Sequence, residues 1–264
     1  MDMQLSGKKA LVTGSTYGIG YAIAEALTKE GANVVITGRH QESVLNAVEQ
    51  LKNINADTEP TGLKADCTTT DGCQQIFDAV PEVDILINNL GIYERKSFFE
   101  IEDSDWTRFF EVNVMSGVRF TRFYTPKMVK KKWGRVIFVS SESGLMIPPD
   151  MIHYGFSKSA QLSISRGLAI SLSGTGVTVN ALLPGPTRTD TTERQRRERA
   201  DNWGISIEQL EKEFFEKFRP TSITKRFATA SEVAPLAVYL SSPLSALTTG
   251  ATLRVEGGIV NQIT

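Results

Sequence analysis

The chain has 264 residues, 41% of them hydrophobic and 22% charged, and its 29 lysines and arginines face 30 aspartates and glutamates for a net charge of −1. A chain of this length can bury about 75% of its unfolded surface, and near-neutrality leaves no global field to draw it to nucleic acid or anionic lipid. With Cys67, Cys73, His40 and His153 as the whole supply of those residue types, a disulfide framework and a structural zinc site are excluded, and no metal is expected.

Residues 1–9 lack the apolar stretch of a secretory leader. No apolar run reaches the roughly 18 residues of a membrane span. The expectation is a soluble protein of the reducing cytoplasm, with neither membrane nor nucleic acid as a partner.

Short β-branched runs alternate with amphipathic stretches along the chain. Residues 10–13 predict a first strand; Ile19, Ile23, Ala26 and Leu27 then fall at helical spacing, with Gly31 as a stop. Residues 33–37 predict the next strand, and Val44, Leu45, Val48 and Leu51 the next helix. A weaker strand covers 62–65. Residues 85–87, 136–140, 177–181 and 252–255 complete the set, nearly all apolar, as strands buried on both faces of a parallel sheet must be. This βαβα order predicts an α/β fold: one doubly wound parallel sheet of about seven strands with helices on both faces. No linker divides it, so residues 1–264 are expected to form a single domain. Residues 189–220 depart from the pattern, with ERQRRER at 193–199 and an amphipathic helix over 205–218. Such a run serves as a solvated helix face laced with i,i+4 pairs, as a helical lid over a site, or as both.

The first strand runs into Gly14-Ser15-Thr16-Tyr17-Gly18-Ile19-Gly20 and then a helix. Glycines let such a turn take positive φ and approach a ligand closely, and the helix start beyond offers free N–H groups to a pyrophosphate. The second strand ends at Arg39 rather than at a carboxylate. A carboxylate there would accept from an adenosine ribose 2′-hydroxyl, whereas an arginine suits a 2′-phosphate. Arg39 therefore favours NADP(H), with NAD(H) as the other option if Arg39 is an ordinary surface cation. Tyr17 weakens the preference, since a second basic residue in the turn would have strengthened it.

Tyr154 and Lys158 stand four residues apart at the start of a helical pattern, so they share one helix face. A phenol with its ordinary pKa near 10 exchanges protons poorly at neutrality, and a nearby ammonium favours the phenolate, making Tyr154 a general acid/base. Ser140 and Ser141 end a buried strand, at the sheet edge where ligands bind in such folds. Asn113 is an amide within an apolar helical run. It is either satisfied locally or an anchor for a water that relays protons to Lys158.

Thr13-Gly14-x-x-x-Gly18-x-Gly20, Asn88-Asn89-Leu90-Gly91, Ser141, Tyr154-x-x-x-Lys158 and Pro184-Gly185-x-Thr187-x-Thr189 fall in an order and spacing that resembles the short-chain dehydrogenase/reductase family. The resemblance runs from Leu5 to Gly258 and implies a Rossmann-type, dinucleotide-binding oxidoreductase. Hydride would pass between a nicotinamide and a carbonyl or secondary alcohol. It implies Tyr154 as proton donor or acceptor, Ser141 (thirteen residues before it) as the hydrogen-bonding serine, Lys158 on the nicotinamide ribose, and Asn113 holding a relay water. Gly14, Thr16, Tyr17, Gly18, Ile19, Gly20, Arg39, Asp66, Cys67, Asn88 and Gly91 would line the cofactor, with Pro184, Gly185, Thr187 and Thr189 at its nicotinamide end. Leu90 departs from the small residue usual at its place.

Leu145, Met146, Ile147, Pro148, Pro149, Met151, Ile152 and His153, with Ile92, Tyr93, Leu183 and Pro186, are expected to form a mostly apolar substrate wall. Arg95, Lys96 and Arg188 would serve an anionic substrate. Relatives of this kind are usually homotetramers or homodimers, which is expected here too, with a monomer as the alternative. A non-redox use of the same fold, lyase-like or as a nucleotide-sensing scaffold, is the alternative; an intact reactive set and glycine turn argue against it.

Overall fold

A computed structural model describes residues 1–263. In chain order it runs β1 (Lys9–Val12), α1 (Gly18–Lys29), β2 (Asn33–Gly38), α2 (Gln41–Lys52), β3 (Thr61–Lys64), α3 (Thr70–Ala79) and β4 (Ile85–Asn88). There follow α4 (Asp103–Phe109), a π-helical turn (Phe110–Met115), α5 (Ser116–Lys131), β5 (Gly134–Val139), α6 (Ile152–Ser171) and β6 (Val177–Pro184). The chain finishes with β7 (Thr187–Arg188), α7 (Asp190–Trp203), α8 (Ile207–Lys217), β8 (Ala228–Thr229), α9 (Ala230–Ser241) and β9 (Thr252–Val255).

Seven strands form one parallel sheet in the order β3-β2-β1-β4-β5-β6-β9, and β7 pairs with β8 apart from it. Side chains alternate across a strand, and β1 shows the result. Val12 joins Ile23, Leu27, Val233 and Leu240 on one face of the sheet, while Leu11 joins Ile76, Phe120, Tyr124 and Met128 on the other. Both faces therefore bury apolar surface, at roughly 25 cal/mol per Å² removed from water. That is why the strands are apolar runs rather than alternating ones.

The strands lie where sequence periodicity put them, with shifted ends. The strand expected over 136–140 ends at Val139, and the Ser140 N–H beyond it still reaches Leu182 O on β6 at 2.8 Å, with Phe138 O at 3.1 Å. β6 extends to Pro184 because β9 pairs along it, Leu182 with Leu253 and Pro184 with Val255. The chain reverses direction across the sheet between β1 and β4, which makes their carboxyl ends the switch point where ligands bind in doubly wound folds. No helix among the described residues is long and apolar enough to cross a membrane.

Candidate active site

At the carboxyl end of β1, polar side chains fix the glycine turn. Gly14 and Gly18 hold φ near +61° and +63°, a region that favours glycine. The Asn89 amide donates to the carbonyls of Thr13 and Gly14, both at 2.9 Å. Thr13 Oγ1 accepts from the Asn89 and Leu90 N–H groups, and Thr37 Oγ1 accepts from Gly14 N at 3.1 Å. Leu90, the departure in the Asn-Asn-x-Gly segment, packs its side chain against Gly14.

The start of α1 has no side-chain cap and no acidic residue in its first turn, so its N–H groups stay free for an anion. A Cβ on Gly20 would stand 2.5 Å from the Gly14 carbonyl and collide with the Asn89 amide as well. Asn88 gives its amide to Thr121 Oγ1 at 3.0 Å, while its buried Oδ1 has no partner among the described residues. A free helix start, a turn kept clear of side chains and an orphaned buried acceptor all suit a dinucleotide. Arg39 and Tyr17 are exposed at the ends of β2 and the turn, and Arg39 forms no ion pair among the described residues. Asp66 folds its carboxylate onto Thr68, with Oδ1 accepting from the Thr68 N–H and hydroxyl at 3.0 and 2.7 Å. Cys67 points into the core onto Thr37, where burial pushes its thiol up to about 12.

The second cluster lies past β5 and along α6. Lys158 Nζ donates to the Val139 carbonyl at 2.9 Å and to Gln161 Oε1 at 3.3 Å, and sits 5.8 Å from the Tyr154 ring centre. Burial lowers the Lys158 ammonium from 10.5 to about 7. Tyr154 opens partly onto a cleft, yet the protein around it raises the phenol above its ordinary value, with the Ser141 hydroxyl working in the opposite direction. The two adjacent serines part company here. Ser140 Oγ donates to the Lys158 carbonyl at 2.9 Å and is committed to packing, whereas Ser141 stands beside Tyr154.

Asn113 is fully buried in the π-helical turn. Its Oδ1 accepts from Ile92 N at 2.7 Å, and its amide donates to the Ile92 carbonyl and Ser157 Oγ, both at 2.9 Å. The side chain is thus spent locally. Its main-chain carbonyl accepts from Gln161 Nε2 at 2.6 Å.

Tyr154, Ser141, Gly185 and Thr187 border one cleft of about 790 Å³. Of the expected wall, Tyr93, Met151 and Pro186 reach it; the remaining apolar surface comes instead from Trp203 at the end of α7 and from α8 and beyond, as Leu210, Phe214, Phe218 and Phe227. Arg95, Arg199 and Arg219 interrupt it. His153 does not reach the cleft: it is fully buried, its ring 4.2 Å from that of Phe109, and burial lowers its pKa. Thr189 caps α7 and packs on Gly18, and Thr187 Oγ1 donates to the Gly185 carbonyl at 2.9 Å.

The family model described as short chain dehydrogenase matches residues 8–200. The chain belongs to the short-chain dehydrogenase family. It is 47% identical over 263 residues to an uncharacterized oxidoreductase, YvaG, of Bacillus subtilis, covering all of both chains. It is 32% identical to a 3-oxoacyl-[acyl-carrier-protein] reductase of Aquifex aeolicus, with 98% of this chain and all of the relative aligned. The L-sorbose reductase of Gluconobacter frateurii, solved with NADPH and L-sorbose, superposes with a TM-score of 0.93 over all of both chains at 28% identity. The protein is accordingly an NAD(P)-dependent oxidoreductase that moves hydride between a nicotinamide and a carbonyl or alcohol of a small compound.

Four residues of this short-chain dehydrogenase escaped the sequence reading. Asn89 was visible only as part of a motif. Gln161 lies in a helical run where nothing marks it as inward-facing. Glu142 and Arg219 meet from positions 77 residues apart and are more than nine-tenths buried. Glu142 accepts from the Ser141 hydroxyl at 2.5 Å and from the Ser143 N–H and hydroxyl at 2.6 and 2.9 Å, and Arg219 holds its other oxygen. Contacts between distant segments leave no local signal.

Proposed function

We propose that Tyr154, Ser141 and Lys158 carry the reaction, that Asn113, whose side chain is held by Ile92 and Ser157, supports them through its main-chain carbonyl, and that NADP(H) is the preferred coenzyme. The reading rests on one observation: Tyr154 and Ser141 meet on the wall of the cleft, with the Lys158 ammonium immediately behind them. Gly14, Thr16, Tyr17, Gly18, Ile19 and Gly20 would hold the pyrophosphate, with Asp66 and the Cys67 backbone near the adenine. Asn88 and Gly91 would line the middle, and Pro184, Gly185, Thr187 and Thr189 the nicotinamide end. The nicotinamide supplies or accepts the hydride when bound. As a carbonyl oxygen gains charge, the Tyr154 O–H bond breaks and its proton forms the new O–H bond of the alcohol. Ser141 turns its hydroxyl from Glu142 to that oxygen and stabilises the developing charge. Burial raises the phenol pKa in the coenzyme-free chain, so proton transfer depends on neighbours that stabilise the phenolate as it forms, the Ser141 hydroxyl among them. The Lys158 ammonium steadies the phenolate left behind.

Exposed Arg39, with no carboxylate beside it, supports the 2′-phosphate assignment. The substrate is a small ketone or secondary alcohol with an apolar body, resting on Leu210, Phe214 and Phe227, and residues 189–220 act as its lid. Phe156 and Ile170, 44% and 63% exposed on α6, support burial of that helix in a homodimer or homotetramer, which light scattering tests. We place the protein in the cytoplasm.

The test is a titration with NADPH and NADH, followed by tryptophan fluorescence, then NADPH oxidation against a panel of ketones. Tighter NADPH binding with turnover of at least one ketone supports the reading. Tighter NADH binding reassigns Arg39 to the surface, and binding of neither coenzyme overturns the proposal.

A further inference from the structure

Gln161 is almost completely buried, one turn beyond Lys158 on α6. A buried side-chain amide is costly unless both its ends are satisfied, and both of these are. Nε2 donates to the Asn113 carbonyl at 2.6 Å, and Oε1 accepts from Lys158 Nζ at 3.3 Å. One amide therefore spans the gap between the π-helical turn and the lysine of the proposed reaction.

The surroundings of Lys158 give that span its weight. Nζ finds the Val139 carbonyl from β5, Gln161 and the Tyr154 ring from its own helix, and a Cβ at Gly91 would approach it to 3.3 Å. Asn113, from the π-helical turn, is neutral, and no carboxylate pairs with Lys158 among the described residues. The ammonium is thus held by two neutral acceptors alone. We propose that Gln161 is a positioning residue for Lys158, fixing its ammonium group and stabilising its charge through an amide anchored on the Asn113 carbonyl.

This inference rests on the proposed role of Lys158, but its test runs on the coenzyme-free chain and needs no substrate. The protein is labelled with ¹³C-lysine, and the Lys158 Cε resonance is assigned by its loss in Lys158→Arg. Its titration midpoint is then compared between the wild type and two variants. Gln161→Leu removes a charge-assisted hydrogen bond, so the midpoint should fall by about one pH unit. Gln161→Glu places a carboxylate against the ammonium, so the midpoint should rise by about as much. Opposite shifts in folded variants support the proposal. Unchanged midpoints in both overturn it, leaving Gln161 a packing residue. Should Gln161→Leu fail to fold, Gln161→Asn keeps the amide but is too short to bridge both partners, and it should shift the midpoint downward. A normal NMR result with no ketone turnover would instead count against the functional reading and leave this one standing.

Discussion

Arg219, just past the end of α8, holds Glu142 through Nε at 2.9 Å and Nη2 at 2.8 Å, and Glu142 in turn holds the hydroxyl of Ser141. The segment after β6 is thereby tied to the serine beside Tyr154 by a buried ion pair. Removing one partner of such a pair strands the other charge, at a cost of about 3–5 kcal/mol. Arg219→Leu should therefore lose about that much stability in urea unfolding. Glu142→Leu combined with Arg219→Leu should lose less than the single variant. A single variant as stable as the wild type would mean the carboxylate is satisfied by its serine neighbours alone.

Tyr154→Phe removes the proton and leaves the ring. Ketone reduction should fall by about 10²–10⁴-fold, the usual worth of a positioned acid, while the fluorescence titration with NADPH stays unchanged. Turnover within tenfold of the wild type would assign the proton to another donor.

The buried lysine makes stability depend on pH in a stated direction. Lys158 holds its proton less tightly folded, at about 7, than unfolded, at about 10.5. Between those values the unfolded chain binds more protons, so stability from this group rises with pH across that window. Below about 7 both states are charged, and the full cost of burying the ammonium is present. Lys158→Met should be more stable than the wild type near pH 6, and the difference should shrink towards pH 10. Thermal unfolding of the coenzyme-free proteins at several pH values measures it.

Gly20→Ala forces a methyl group into the Asn89 amide and the Gly14 carbonyl. Helix propensity alone would favour alanine by about 0.5–1 kcal/mol, but the backbone here has no room to yield. The variant should unfold at lower temperature and bind NADPH at least tenfold more weakly, as read by fluorescence.

Arg39→Ala tests coenzyme choice. It should weaken NADPH by about tenfold or more, since a charge-assisted contact to a phosphate contributes about 1.5–3 kcal/mol, and leave NADH within twofold. Equal effects on both would remove Arg39 from the 2′-phosphate.

Much of this was legible in the chain. The doubly wound parallel sheet followed from apolar runs alternating with helical spacing, because burial on both faces writes itself into β1, β4, β5 and β6 residue by residue. Tyr154 and Lys158 were legible because one helix carries both. Ser141 needed more: its neighbour Ser140 is chemically identical, and only the fold parts them, Ser140 bonding the α6 backbone while Ser141 stands beside Glu142 and Tyr154. The substrate wall was misplaced because residues 145–150 adjoin the serine in sequence, whereas Phe214 and Phe227 reach the cleft only through the packing of α8. His153 was expected on the wall because it adjoins Tyr154 in sequence, but a helix turns neighbours about 100° apart, and the structure turns this one into the Phe109 side of the core.

The π-helical turn at Phe110–Met115 carries one more constraint, on chain length. Such a turn accommodates an extra residue in a helix. Deleting one residue there would let α4 and α5 join as a regular helix while rotating everything on one side by about 100° relative to the other. Asn113 would then swing off Ile92, and its carbonyl off Gln161. Ordinary helices tolerate many substitutions at a fixed length. This one also has to keep count, because its register is part of how the lysine is aimed.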